Sequence, residues 1–219
     1  MTFSILTYDR ATGVYAAAAA TGNLCVGGWV LRGDIESGLV ASQGTAPSTF
    51  WRDDVLRQMH SGVEANAAIL NVTKADPGRG YRQITALNRT GGTGGFTGGE
   101  SIAFADHICE DGLAVAGNML TGQSVLDAMI SAFRNSQAAV ANRMLSALTA
   151  AEGAGGDTRG LVSAALLILE PHRPPLDLRI DWHETPIAAL QQLCDRAHLN
   201  PYLGWLDQVP VLSDKSRHP

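Results

Sequence analysis

The first nine residues, Met1-Thr-Phe-Ser-Ile-Leu-Thr-Tyr-Asp9, decide the fold because they read as a β-strand at the very start of the sequence. Apolar Phe3 and Ile5 alternate with polar residues, as in a strand buried on one face. Removal of Met1 would leave Thr2 with a hydroxyl and a free α-amine in one residue. Such an amine, with a pKa of about 7.7–8.0, can accept the hydroxyl proton. Thr2 is therefore a candidate nucleophile, although a strand that simply starts with threonine explains the same residues.

Composition favours one globular domain and excludes several classes of partner. The 219 residues are 45% hydrophobic and 17% charged, which is enough for a sizeable core. The net charge of −5 and the lack of a basic stripe argue against nucleic acid as a partner. No apolar stretch reaches the roughly 18 residues of a membrane span. The apolar segment 14–21 is short and follows charged residues, so we expect no leader and a cytoplasmic location.

The cysteines, histidines and glycines predict neither a metal nor a cofactor. Cys25, Cys109 and Cys194 are far apart, which is typical of reduced thiols. The histidines lack metal-ligand spacing, and for His107 we expect an ordinary surface role. The glycine-rich segment 91–99 completes neither a dinucleotide-binding motif nor a P-loop. We expect it to form a strand that passes close to another backbone or to a ligand.

Turn signals divide the chain into strands and helices. The turn Arg10–Gly13 joins the first strand to a second, Val14–Thr21, whose alanines suit a central strand packed closely on both faces. We expect Asn23–Gly38 to be irregular because it is rich in glycine. Ser61–Glu64 has the spacing of a capping box that starts a helix, and Ser101–Asp106 supplies strand residues.

The order of the predicted elements indicates an α+β fold in layers. Paired strands alternate with paired helices, which favours two antiparallel sheets covered by helices, a four-layer α-β-β-α sandwich. A three-layer doubly wound sheet would need strands and helices to alternate one by one. We expect a single domain over residues 1–199 and a C-terminal tail over residues 200–219.

Polar residues at the ends of the predicted strands are candidates for chemistry. Ser163 lies in an apolar strand and must find a partner once it is buried, while Asp157 precedes that strand in a glycine-rich turn. An ion pair between Asp157 and Arg159 that merely fixes the turn is the alternative. Asn118 ends a strand, where its amide could donate to an oxyanion or simply form a turn. Candidate substrate contacts are Ser42, Gln43, Arg82, Gln83, Thr97, Gly98 and Arg159.

Five motifs in their joint order resemble the family called domain of unknown function 1028, over nearly the whole chain. They are Met1-Thr-Phe-Ser-Ile5, Asp76-Pro-Gly-Arg79, Tyr81-Arg-Gln83, Gly117-Asn118-x-Leu120 and Gly156-Asp-x-Arg-Gly-x-x-Ser-Ala-Ala-Leu166. That family is similar to the N-terminal nucleophile (Ntn) hydrolases, which share the α-β-β-α sandwich and include the proteasome β-subunits. The resemblance implies that Thr2 attacks an amide and forms an acyl-enzyme that water then hydrolyses.

The chain departs from the proteasome-like pattern at two places. It has no Lys before Lys74, so Arg32 is the cation of the region after the opening hairpin, and Gly160 stands where an Asp is expected. We therefore hold two hypotheses. The first is an amidohydrolase for a small amide or peptide-like bond, in which Asp157 and Ser163 position the Thr2 amine and Asn118 holds the oxyanion. The second is a non-catalytic protein on the same fold that binds a small molecule or forms a homo-oligomer.

Overall fold

A computed structural model describes residues 2–156 and 160–219, whose strands form two antiparallel sheets. From edge to edge, the larger sheet contains β10 (Arg173–Ile180), β9 (Ser163–Glu170), β2 (Val14–Thr21), β1 (Thr2–Asp9), β8 (Leu113–Asn118) and β7 (Asp106–Glu110). The smaller sheet contains β3 (Leu31–Asp34), β4 (Gly38–Gly44), β5 (Arg82–Asn88) and β6 (Thr93–Thr97). The first strand of the chain is thus central in the larger sheet and hydrogen-bonded on both sides.

The helices are α1 (Val26–Trp29), α2 (Thr49–His60), α3 (Ala65–Thr73), α4 (Ser124–Asn135), α5 (Val140–Gly153), α6 (Pro186–Ala197) and α7 (Tyr202–Leu206). The longer helices cover the outer faces of the two sheets, whereas Val26 of α1 is buried between the sheets. Helices α2 and α3 pack on the smaller sheet, and α4, α5 and α6 pack on the larger one. The inner faces of the two sheets meet through β1, β4 and β5. The α-β-β-α sandwich expected from the sequence is confirmed.

The opening hairpin directs alternate side chains to opposite layers. Phe3 and Ile5 are fully buried under the helices, whereas Leu6 faces the smaller sheet. The alanines of β2 divide in the same way and are all fully buried. Small side chains on both faces let α5 on one side and the smaller sheet on the other approach a central strand closely, as the sequence predicts.

Glycines in β6 serve the close approach that the sequence predicts. A Cβ on Gly94 would lie 2.6 Å from the Cα atom of Asn66 in α3. A Cβ on Gly95 would lie 2.2 Å from a ring carbon of His107 on β7. Both contacts are far inside van der Waals distance, so the strand can pass between its neighbours only without side chains at these positions.

Three local expectations are wrong. The segment Asn23–Gly38 contains α1 and β3, and residues 101–105 form no strand. Ser61 ends α2 instead of starting α3, because Gly62 takes a positive φ of 89° and its N–H bonds to the carbonyl of Met59. The Glu64 carboxylate accepts a hydrogen bond from Asn88 and caps no helix.

The last part of the chain adds a short helix to the sandwich. Helix α7 packs against α6, and an isolated bridge joins Val211 to Asp214. Within residues 2–156 and 160–219, no helix is both long and apolar enough to cross a membrane. The same two ranges contain no group of three His, Cys, Asp or Glu residues arranged to hold a metal ion.

Candidate functional site

A row of polar residues crosses four adjacent strands at one end of the larger sheet. Thr2 pairs with Asn118 on one side and with Thr21 on the other, and Thr21 pairs with Ser163. Directly paired residues of antiparallel strands point to the same face. This face is the inner one, because Ser4 on the same side of β1 bonds to a residue of β4. The structure therefore brings together three of the four predicted catalytic residues. Asp157 lies outside the described residues.

The Thr2 hydroxyl is held by a neighbour that the sequence reasoning missed. Thr2 is only 9% exposed, and its Oγ1 atom lies 3.0 Å from Oγ1 of Thr21. The hairpin could have revealed this partner, since counting outward from Tyr8 opposite Tyr15 puts Thr2 opposite Thr21. This hydrogen bond between the two hydroxyls fixes the orientation of the Thr2 side chain.

Ser163 fixes the wall of the site and does not contact Thr2. Its hydroxyl donates to the carbonyl of Asn23 at 2.6 Å and accepts from the N–H of Val26 at 3.1 Å. Both groups belong to the segment that leads into α1. The buried serine thus has the partners that its burial requires, and it joins this segment to β9.

Behind Thr2, side-chain amides form a buried network between the sheets. Gln43 donates from Nε2 to Oε1 of Gln83 at 2.8 Å and to the carbonyl of Thr2 at 3.3 Å, while its Oε1 accepts from Ser4 at 2.8 Å. Asn118 donates to Oε1 of Gln83 at 3.4 Å. All these side chains except that of Thr2 are at most 2% exposed. One N–H of the Asn118 amide is therefore directed to Gln83 inside the protein.

The network continues to a half-buried histidine. Gln83 donates from Nε2 to Oγ1 of Thr97 at 2.8 Å, and this hydroxyl lies 2.9 Å from Nδ1 of His107. Burial lowers the pKa of His107 below its ordinary value, and the Asp106 carboxylate opposes this shift. The ordinary surface role expected for His107 is wrong, because its ring packs on the glycines of β6 and bonds to the network.

The remaining candidates lie away from Thr2. The Ser42 hydroxyl faces α2 and donates to the carbonyl of Ser48 at 2.8 Å. Arg82 binds Asp76, with 2.8 Å between Nε and Oδ2. Gly98 packs on the backbone of residues 79 and 80. The structure therefore separates Ser42, Arg82 and Gly98 from Thr2, and Arg159 lies outside the described residues.

A cleft of about 370 Å³ opens in front of Thr2. Thr2, Thr21 and Gln43 line it together with eight further residues: Asn23, Leu24, Val26, Trp29, Val30, Gly44, Thr45 and Pro47. None of these eleven residues carries an ionisable side chain. Trp29 at its rim is 54% exposed. The buried Arg52 holds this rim by donating to the carbonyl of Trp29 at 3.0 Å. The cleft thus suits a neutral ligand with an apolar part.

The loop after β4 contributes Gly44 and Thr45 to the wall of this cleft. Gly44 takes a φ of 121°, and a Cβ there would lie 2.7 Å from the carbonyl oxygen of Tyr81. The next N–H, that of Thr45, has no acceptor in the part of the chain that the structure describes, whereas that of Ala46 bonds to Tyr81. An unpaired N–H beside a cleft can bind a carbonyl oxygen or an oxyanion.

A larger cavity of about 750 Å³ lies between β10, α6 and α7, far from this polar row. Its walls are mostly apolar and include Leu178, Tyr202 and Trp205. No nucleophile of the row lines it. The smaller cleft in front of Thr2 is therefore the better candidate for a catalytic site.

Residues 2–190 match a family of unknown function, DUF1028. The chain belongs to this family. A crystal structure of a DUF1028 protein from Silicibacter pomeroyi is 50% identical, with a TM-score of 0.95 over 99% of this chain and 95% of that chain. Eukaryotic HslV from Trypanosoma brucei is 11% identical, with a TM-score of 0.49 over 77% of this chain and 99% of that chain. No curated protein matches the chain.

In this DUF1028 protein, neutral groups surround the Thr2 side chain and carbonyl within the described ranges. The bonded side chains are those of Thr21 and Gln43. Arg32, the cation that the sequence placed in this region, is half-exposed and lies 3.6 Å from Asp53. These described contacts therefore do not place a lysine beside Thr2.

Proposed function

We propose that this DUF1028 protein is an Ntn-type amidohydrolase that cleaves a small amide or peptide-like bond with Thr2 after Met1 is removed. The observation that carries the proposal is the position of Thr2, which lines a cleft and whose Oγ1 atom lies 3.0 Å from Oγ1 of Thr21. A hydroxyl held in one direction at the floor of a cleft can attack a carbonyl carbon placed there.

The reaction would proceed through an ester on Thr2. The freed α-amine accepts the hydroxyl proton as Oγ1 attacks the amide carbon, and the same proton then passes to the leaving amine. The C–N bond breaks and an acyl-enzyme forms. Water, deprotonated by the α-amine, attacks the ester, and the proton returns to the Thr2 oxygen as the acid product leaves. An amine with a pKa of about 7.7–8.0 can take both roles near neutral pH.

The proposed roles around Thr2 follow from the contacts. The proposed donors to the oxyanion are the N–H of Thr45, a residue of the cleft wall, and the amide of Asn118. Ser163 shapes the cleft wall through Asn23. Asp157, which lies outside the described residues, keeps its proposed role of orienting the amine.

The cleft limits the substrate to a neutral group next to the scissile bond. An isolated charge removed from water without a partner is strongly disfavoured. The described lining supplies hydroxyls, the carboxamides of Asn23 and Gln43, and apolar surface, with Trp29 exposed for contact with an apolar substituent.

The test is acylation of Thr2 by a peptide β-lactone, followed by intact mass and peptide mapping. The protein must first be shown by mass to lack Met1. We expect label on Thr2, at least about a hundredfold slower labelling of Thr2→Ala, and retained labelling of Thr2→Ser, which keeps a hydroxyl and an amine. Circular dichroism should show the same fold in all three. Labelling of Thr2→Ala at the rate of the parent protein refutes the proposal.

A second candidate function is binding of a small neutral molecule in the same cleft, or assembly into a homo-oligomer, without catalysis. The neutral surroundings of the described Thr2 contacts favour it. It predicts that Thr2 remains unlabelled while a cleft ligand protects Trp29 fluorescence from a quencher. Label on Thr2 would exclude it.

A further inference from the structure

Two glutamine side chains meet in the space behind Thr2, where water has no access. Gln43 on β4 and Gln83 on β5 are register partners, and they are 1% and 0% exposed. Burying two carboxamides between two sheets costs free energy unless every polar atom is bonded. All four of their polar side-chain atoms have partners here, so the pair is a complete network.

The direction of every bond in this network is fixed by its outer partners. Gln83 lies 3.0 Å from two backbone carbonyls, those of Asp106 and Gly117, which can only accept, so its amide nitrogen must face them. Its oxygen therefore faces Gln43, and Gln43 must turn its own nitrogen toward that oxygen. The same nitrogen then donates to the carbonyl of Thr2. The oxygen of Gln43 is left to accept from Ser4.

This fixed direction ties the backbone of Thr2 to the smaller sheet. Among the described residues, the hydrogen bond of the Thr2 side chain is to Thr21 on the larger sheet. Gln43 is the described side chain that holds the Thr2 main chain from across the sandwich, and it also lines the cleft. It can therefore set the position of the Thr2 hydroxyl relative to the loop of residues 44–47, which leaves the same strand.

We propose that Gln43 is a positioning residue for Thr2, and that Gln83 and Ser4 hold its carboxamide in the one orientation that does so. The inference rests on the proposed function, since it assigns a residue that acts through the nucleophile. Displacing a reacting group by about 1 Å can slow a reaction by about a hundredfold. Loss of the Gln43 carboxamide should thus slow acylation without weakening the binding of a reagent to the cleft.

The test compares Gln43→Met with the parent in the peptide β-lactone reaction. Methionine has a similar length and no donor or acceptor of comparable strength. We expect the maximum rate of Thr2 acylation to fall by about tenfold or more, while the reagent concentration at half-maximal rate stays within about twofold. Thr85→Val is the matched control, because Thr85 is fully buried on the same face of β5 and its hydroxyl has no hydrogen-bond partner within residues 2–156 and 160–219. It should leave both kinetic values unchanged.

A purely structural role for the network gives a different result. A lower melting temperature with an unchanged maximum rate for Gln43→Met overturns the inference. If that variant fails to fold, Ser4→Ala removes only the donor to the Gln43 oxygen and should still slow acylation by about threefold or more. An unchanged rate for Ser4→Ala overturns the inference as well. Absence of acylation in the parent protein overturns the proposed function and this inference together, a pattern distinct from a loss confined to the variants.

Discussion

Replacing Thr85 by valine should stabilise this protein. Thr85 is 0% exposed in the middle of β5, and its Oγ1 atom has no hydrogen-bond partner among the described residues. A buried hydroxyl without a partner costs about 1–3 kcal/mol. Valine has nearly the same shape, suits a strand and replaces the hydroxyl with a methyl group, so the substitution leaves no cavity. We therefore expect the free energy of unfolding to rise by about 1 kcal/mol or more.

The gain is measurable by thermal and urea denaturation. For a domain of this size, about 1 kcal/mol moves the melting temperature by about 2–4 °C. Thr93→Val on the neighbouring strand is the matched control, because its hydroxyl donates to the carbonyl of Glu110 at 2.9 Å. That variant should lose about 1 kcal/mol. If Thr85→Val melts at or below the temperature of the parent protein, the assignment of an unpaired hydroxyl at Thr85 is refuted.

Three further predictions concern the site and its surroundings. Gln43→Glu places a carboxyl group against the oxygens of Gln83 and Thr2, which raises its pKa in the folded state. The loss of unfolding free energy relative to the parent protein should therefore be smallest below about pH 4 and grow as the pH rises. An equal loss in urea denaturation from about pH 4 to 8 would contradict this expectation. Gly44→Ala should lose about 1–3 kcal/mol in the same assay, since φ is 121° there, and no loss would count against the strained loop. The pKa of His107 should lie below its ordinary value of about 6.5, because burial disfavours the charged imidazolium. The neutral imidazole therefore contributes to stability above about pH 6.5, and this contribution is lost as the pH falls. An NMR titration midpoint at or above about 6.5 would exclude the burial described.

The sequence predicted the layers because local patterns agreed with the tertiary contacts. The hairpin turn at Arg10–Gly13 and the alternation in β1 specify the pairing of β1 with β2, including Thr2 opposite Thr21. This part of the polar row depends on short-range signals that a sequence carries directly. Asn118 and Ser163 join the row through strands far along the chain.

Other features depend on contacts between distant segments, which no local pattern contains. Helix α1 has only four residues and is too short to form by its own propensity; Ser163 and Arg52 hold its two ends. Gln43 and Gln83 were predicted as ligand contacts at strand ends, but their pairing depends on which strands become neighbours. The contact of Asn118 with Gln83 likewise depends on how the second sheet packs on the first.

The central position of β1 has a practical consequence for anyone who expresses this protein. Thr2 pairs on both sides with other strands and lines the cleft, so an affinity tag or fusion partner on its amino side would be attached close to the cleft and can obstruct the entry of a ligand. A carboxy-terminal tag follows residues 212–219, which are mostly exposed, and leaves that entrance open. The choice of tag can therefore decide whether a screen for ligands of this fold finds any.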